Sequence, residues 1–131
     1  MAGTAASGGF DRFYWYGWDI KSGEEFRDTA SSTITPTGIA YQQLYNWTIG
    51  AMMSPCLANG TIWTCTIKRL GGYQALAVWD TAQACSGGVC TTSTYAYDPR
   101  YTKYYTLAGS ASIPLSGGTV QIGAKVILLS Q

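Results

Sequence analysis

Thr61-Ile62-Trp63-Thr64-Cys65-Thr66-Ile67 alternates, with Trp63, Cys65 and Ile67 on one side and the threonines on the other. Period-two alternation in β-branched and aromatic residues specifies a strand. A Gly71-Gly72 turn follows, and residues 73–79 predict a second strand. It would carry Tyr73, Ala75, Ala77 and Trp79 on one face and Leu76 and Val78 on the other. Further short strands are expected at residues 95–105 around Pro99, at 111–115 and 119–122 flanking Gly117-Gly118, and at 125–129. Strands about ten residues apart with glycine between them indicate an antiparallel sandwich or barrel.

Working back toward the start, Thr35-Pro36 supplies a helix N-cap followed by proline at the first helical position. Ile39, Ala40, Leu44, Trp47 and Ala51 recur at helical spacing, so residues 36–50 predict a helix, with Pro55 beyond its end. The polar stretch 21–32 reads as a loop. Before it, Arg12-Phe13-Tyr14-Trp15-Tyr16-Gly17-Trp18-Asp19 is an aromatic run without alternation, the pattern of a strand covered on both faces. The fold class expected is mostly β: an antiparallel β-sandwich with one α-helix near the N-terminal third. Residues 1–9 read as a flexible lead-in and 10–131 as a single domain, with strand plus helix over 10–55 and only strands over 56–131.

The chain has 131 residues, 47% hydrophobic and 11% charged, where an average soluble domain carries about 25% charged residues. Eight basic against seven acidic residues leave a net charge of +1, which argues against a nucleic-acid partner bound through its phosphates. There is no histidine, so His-based nucleophile systems and His-ligated metals are excluded. No apolar run is long enough to span a membrane as a helix. No signal peptide is legible at residues 1–9.

Cys56, Cys65, Cys85 and Cys90 allow three disulfide pairings. Local geometry prefers Cys56 with Cys65, bracketing an Asn59-Gly60 hairpin turn, and Cys85 with Cys90, symmetric about Gly87-Gly88. A four-thiolate zinc site is the alternative, although CxxC spacing is missing. Two disulfides imply a secreted, extracellular protein whose signal lies outside this chain.

The acids are Asp11, Asp19, Glu24, Glu25, Asp28, Asp80 and Asp98. Glu24 and Glu25 are adjacent in a loop and do not naturally flank one glycosidic bond. Asp19 and Asp80 each end an apolar strand, where an acid caps a loop or binds backbone amides. No cofactor is expected; a calcium site built from loop carbonyls and one or two such acids stays open, without a spaced Asp loop to mark it. The aromatics are more informative, at 14% with ten Tyr and five Trp. Pyranose C–H faces stack on Trp and Tyr while hydroxyls suit neutral polar groups, so this composition fits a neutral sugar. Trp63 and Trp47 are expected to pack in the core. Trp79 could face either way, with Ala75 and Ala77 leaving a shallow shelf between it and Tyr73. Tyr14, Trp15, Tyr16 and Trp18 are too many large rings for one strand to hide. The expected carbohydrate-binding residues are therefore Trp15, Trp18, Tyr14, Tyr16, Trp79 and Tyr73, with no catalytic residue and no metal ligand.

Trp63-Thr64-Cys65, Arg69 and Gly72-Tyr73-Gln74-Ala75-Leu76-Ala77-Val78-Trp79-Asp80, with the tail Gly117-Gly118-Thr119-Val120, Ile122-Gly123 and Ile127-Leu128-Leu129, resemble the β-rich C-terminal domain of bacterial clan-A glycoside hydrolases. Phe13-Tyr14-Trp15-Tyr16-Gly17-Trp18-Asp19 is similar to the eighth strand of their (β/α) barrel, and residues 35–51 to its eighth helix. The resemblance covers most of residues 10–131. It implies that the catalytic glutamates, on barrel strands four and seven, have no counterpart here. It also makes Trp15 or Trp18 the match for a tryptophan in the sugar subsite floor. A barrel cannot close without its other strands. The strand and helix would then pack on the β domain, pair with another copy, or stay partly exposed. The expected function is a non-catalytic module binding neutral plant cell-wall polysaccharide, such as β-glucan or xyloglucan. The alternative is a structural accessory domain of a glycoside hydrolase. Expected partners are a neutral polysaccharide or oligosaccharide, a glycoside hydrolase catalytic domain, and another copy through the aromatic strand, with no nucleic acid and no membrane.

Overall fold

The computed structural model describes residues 26–28 and 30–131. The strand expected at residues 12–19, with Tyr14, Trp15, Tyr16 and Trp18, lies outside the described residues.

Helix α1 (Pro36–Thr48) starts where Thr35 predicts. The Thr35 hydroxyl accepts from the Gly38 N–H at 3.1 Å, satisfying one of the first-turn donors, and Pro36 brings no N–H that would need a partner. In front of it a narrow hairpin is closed by a bridge between Arg27 and Ile34. Phe26, 1% exposed, stacks there on Tyr41 at 4.7 Å. Gly38 permits this approach, since a Cβ on it would sit 2.2 Å from the Phe26 carbonyl oxygen. The described residues of 26–32 are thus mostly loop, as expected, but Phe26 is anchored under the helix.

The strands are β1 (Met52–Met53), β2 (Leu57–Asn59), β3 (Ile62–Lys68), β4 (Gln74–Asp80), β5 (Cys85–Ser86), β6 (Val89–Cys90), β7 (Ser93–Ala96), β8 (Lys103–Tyr105), β9 (Ile113–Pro114), β10 (Thr119–Ile122) and β11 (Ile127–Ser130). All pairings are antiparallel. In the main sheet β1 and β2 both flank β3, followed by β4, β11, β8 and β9. The closing strand β11 is inserted between β4 and β8, and all four of its residues are buried. β7 and β10 form a second sheet, and β5 and β6 a separate hairpin.

Two apolar clusters lie on opposite faces of the main sheet. On one, Trp47 of α1 packs with Cys65, Ile67, Ala75, Ala77 and Leu128. On the other, Val78, Ile127 and Leu129 meet Val120 and Ile122 of the second sheet, with Tyr101. The result is an antiparallel β-sandwich with one helix on its outer face. β4 explains why both faces are covered: its alanines face α1 while Leu76 and Val78 face the second sheet, so neither side is polar enough for water. The threonines of β3 are accordingly half-buried rather than a solvent face.

Both disulfides form as the local geometry predicts. Cys56–Cys65 ties the approach of β2 to β3, and Cys85–Cys90 joins directly opposed residues of the β5–β6 hairpin. No cysteine is free, so the four-thiolate zinc alternative is overturned. The first hairpin turn is shifted by one residue from the expected Asn59-Gly60. Asn59 is still paired to Ile62, and the reversal is Gly60-Thr61, with Gly60 at φ 62°.

Candidate functional site

β3 and β4 pair in a register that sets Trp63 opposite Trp79, with Cys65 opposite Ala77 and Ile67 opposite Ala75. The two indoles stack with centroids 6.1 Å apart and planes inclined by 14°. Both are half-buried. Trp79 packs against the α1-side cluster, whereas Trp63, expected in the core, stands beyond it. Ala58 of β2 pairs with Trp63 on the outer flank. The row across these strands is therefore Ala58 and two stacked indoles, with the Cys56–Cys65 disulfide bracing β3 two residues away.

Tyr73 is not part of this surface. It precedes β4 at the other end, about 20 Å from Trp79 along the strand. The shelf expected between them is filled, because Ala75 and Ala77 are buried under α1 in the Trp47 cluster. Alanines left room, and the helix took it. Tyr73 instead packs under Arg69, whose guanidinium carbon lies 5.7 Å from the ring centroid, and its hydroxyl accepts from Ser130 Oγ at 3.2 Å. Arg69 Nη2 donates to the Asn46 and Trp47 carbonyls at the end of α1. It thereby satisfies acceptors that a helix leaves open and places positive charge at the negative end of the dipole.

Sequence reasoning missed Trp63 as a stacking partner and Arg69 as a helix cap. The signal for the first was present: Trp63 and Trp79 are equidistant from Gly71. For Arg69 there was no local signal, since its acceptors lie more than twenty residues away in the chain.

The described carboxylates are each engaged locally. Asp80, 3% exposed, accepts from Ser93 Oγ at 2.6 Å, the Ala82 N–H at 2.9 Å and Gln83 Nε2 at 3.0 Å. The Ser93 hydroxyl and these further donors hold its carboxyl far below the usual carboxylate range. It acts as the loop cap expected of a strand-terminal acid and ties the end of β4 to β7. Asp28 closes the 26–35 hairpin, where the Ser31 hydroxyl and Ala30 N–H lower its pKa. Asp98, lowered by its hydrogen bond from Arg100, makes an exposed pair with that residue. Asp11, Asp19, Glu24 and Glu25 lie outside the described residues. No group of three or more His, Cys, Asp or Glu side chains that could hold a metal occurs among the described residues. Nor is any helix among them long and apolar enough to cross a membrane.

Comparison of the chain with protein-family models, with curated proteins and with solved structures finds no match.

Proposed function

We propose that this domain is a non-catalytic carbohydrate-binding module that takes a neutral β-linked polysaccharide, of the β-glucan or xyloglucan kind, on the Trp63–Trp79 surface. The observation that supports the reading is the stacked, half-buried indole pair fixed by strand register and braced by a disulfide. Such rings offer a rigid apolar face to pyranose C–H groups and lose little side-chain freedom on binding. A net charge of +1 spread over 131 residues suits an uncharged ligand. Trp15, Trp18, Tyr14 and Tyr16 are proposed as additional stacking residues. The two disulfides fit a secreted protein. Native affinity electrophoresis in gels containing β-glucan, xyloglucan, mannan or xylan tests the reading. Retardation by one of these, lost in Trp79→Ala and Trp63→Ala, supports it, whereas free migration on all of them refutes it.

A second reading, an accessory domain that buttresses a glycoside hydrolase barrel, is favoured by a different feature. Tyr45 on α1 and Ile49 at its C-cap, with Ile34 and Met52, remain at least half exposed. Ile34 and Tyr45 line one shallow apolar depression, and exposed apolar surface of this kind suits a docking partner. That reading predicts no retardation, self-association in size-exclusion chromatography, and a monomeric complex once the barrel is supplied.

A further inference from the structure

A cleft of about 380 Å³ opens between the second half of α1, the β3–β4 connection and the β11–β8 part of the main sheet. This lies within the range of small-molecule sites. Its walls include Gln43, Arg69, Tyr73, Lys103, Tyr105 and Ser130. Two of these are cations, and none of the side chains lining the cleft is an acid. Neither Arg69 nor Lys103 has a carboxylate within ion-pair distance among the described residues, where Arg100–Asp98 is the one ion pair.

Two polar groups on residues lining this cleft lack partners. Gln43 is only 7% exposed, yet its amide makes no hydrogen bond among the described residues. Arg69 Nε is buried without an acceptor, because the bonds to the helix carbonyls use Nη2. Arg69 Nε is sealed from the cleft, whereas the Gln43 amide keeps contact with it and is free to bond a molecule there. A glutamine held in this position, with its amide open to the cleft and no partner in the protein, offers its hydrogen-bonding groups to a ligand.

We infer that this cleft binds an acidic sugar residue, a pyranose carrying a carboxylate, as in a hexuronic acid. The carboxylate would pair with Lys103 and with Arg69 Nη1, the guanidinium nitrogen that neither caps the helix nor is sealed inside the protein. The ring hydroxyls would meet the Gln43 amide, and the C–H face would lie toward Tyr73 and Tyr105. The site is separate from the indole pair at the far end of β4 and does not rest on the reading given for it.

The test uses the full chain and three probes: sodium glucuronate, glucose and sodium acetate, titrated at low salt while ring resonances of Tyr73 and Tyr105 are followed by NMR. Glucuronate should produce saturable shifts at concentrations where glucose and acetate produce none. Lys103→Ala and Gln43→Leu should each weaken it by at least about tenfold, while Trp79→Ala leaves it unchanged. Arg69 is not a suitable probe, because its loss would also uncap α1. Circular dichroism and urea midpoints confirm that the variants fold. Equal shifts with acetate or glucose, or an undiminished glucuronate response in both folded variants, would overturn the assignment.

Discussion

The indole pair makes a quantitative demand on stability that is independent of any ligand. Truncating a fully buried large aromatic to alanine costs about 3–5 kcal/mol, and half-burial brings Trp63→Ala or Trp79→Ala nearer to about 2 kcal/mol each. Stacked at 6.1 Å and 14°, the rings should also couple by about 0.5–1.5 kcal/mol beyond the area they bury. The first truncation removes that coupling and the second cannot remove it again. The double variant should therefore lose about 3 kcal/mol rather than the roughly 4 kcal/mol that additivity would give. Urea unfolding of the four proteins, with disulfides intact and a common m-value, reads this difference directly. Additive losses, within about 0.3 kcal/mol, would mean that the rings do not stack in solution and would remove the basis for treating them as one surface.

Three further outcomes follow from the packing. Cys56→Ala combined with Cys65→Ala opens a link across a sequence separation of 9 and should cost about 2–3 kcal/mol, seen as a lowered urea midpoint; an unchanged midpoint would show that the link adds no stability. Asp80 is held ionised in the fold, so its contribution is present above the ordinary aspartate pKa near 3.9 and fades as pH falls below it. Asp80→Asn should thus be clearly less stable than the parent at pH 7, with the gap narrowing at pH 3; an equal gap at both would contradict an ionised, hydrogen-bonded carboxylate. Gly38→Ala places a methyl 2.2 Å from the Phe26 carbonyl oxygen, and the displaced hairpin should cost about 2 kcal/mol in thermal or urea unfolding; wild-type stability would show that the 26–35 hairpin yields freely.

Much of the fold is legible in the chain because its signals are local. Thr35-Pro36 starts the helix where capping chemistry says it must. The alternation through residues 61–67 and the two-faced apolar run through 73–79 each give a strand within one residue of its observed bounds. Opposed cysteines flanking tight turns gave both disulfides. The order of strands was not legible. Nothing near residues 127–130 tells them to enter between β4 and β8, since that choice is made by burial against distant side chains. β1 is only two residues long, too short to carry a period.

The site was legible in part for the same reason. Trp79 was recognisable as an aromatic at a strand end, but its environment depends on what crosses from β3. Tyr73 and Trp79 share a strand face in sequence, and the helix divides them by covering Ala75 and Ala77. Gln43 looks like an ordinary exposed helix residue, and only the packed structure shows it inside. Polar residues in buried positions break the hydrophobic pattern, so pattern reading passes over the places where ligand chemistry concentrates.

Polysaccharide recognition by the stacked tryptophans is tested most directly by native affinity electrophoresis of the parent chain beside Trp63→Ala and Trp79→Ala. Retardation of the parent by a neutral β-linked polysaccharide, abolished in both folded variants, is the expected result. Migration of the parent unaffected by every polysaccharide, or retardation that survives both substitutions, would contradict it.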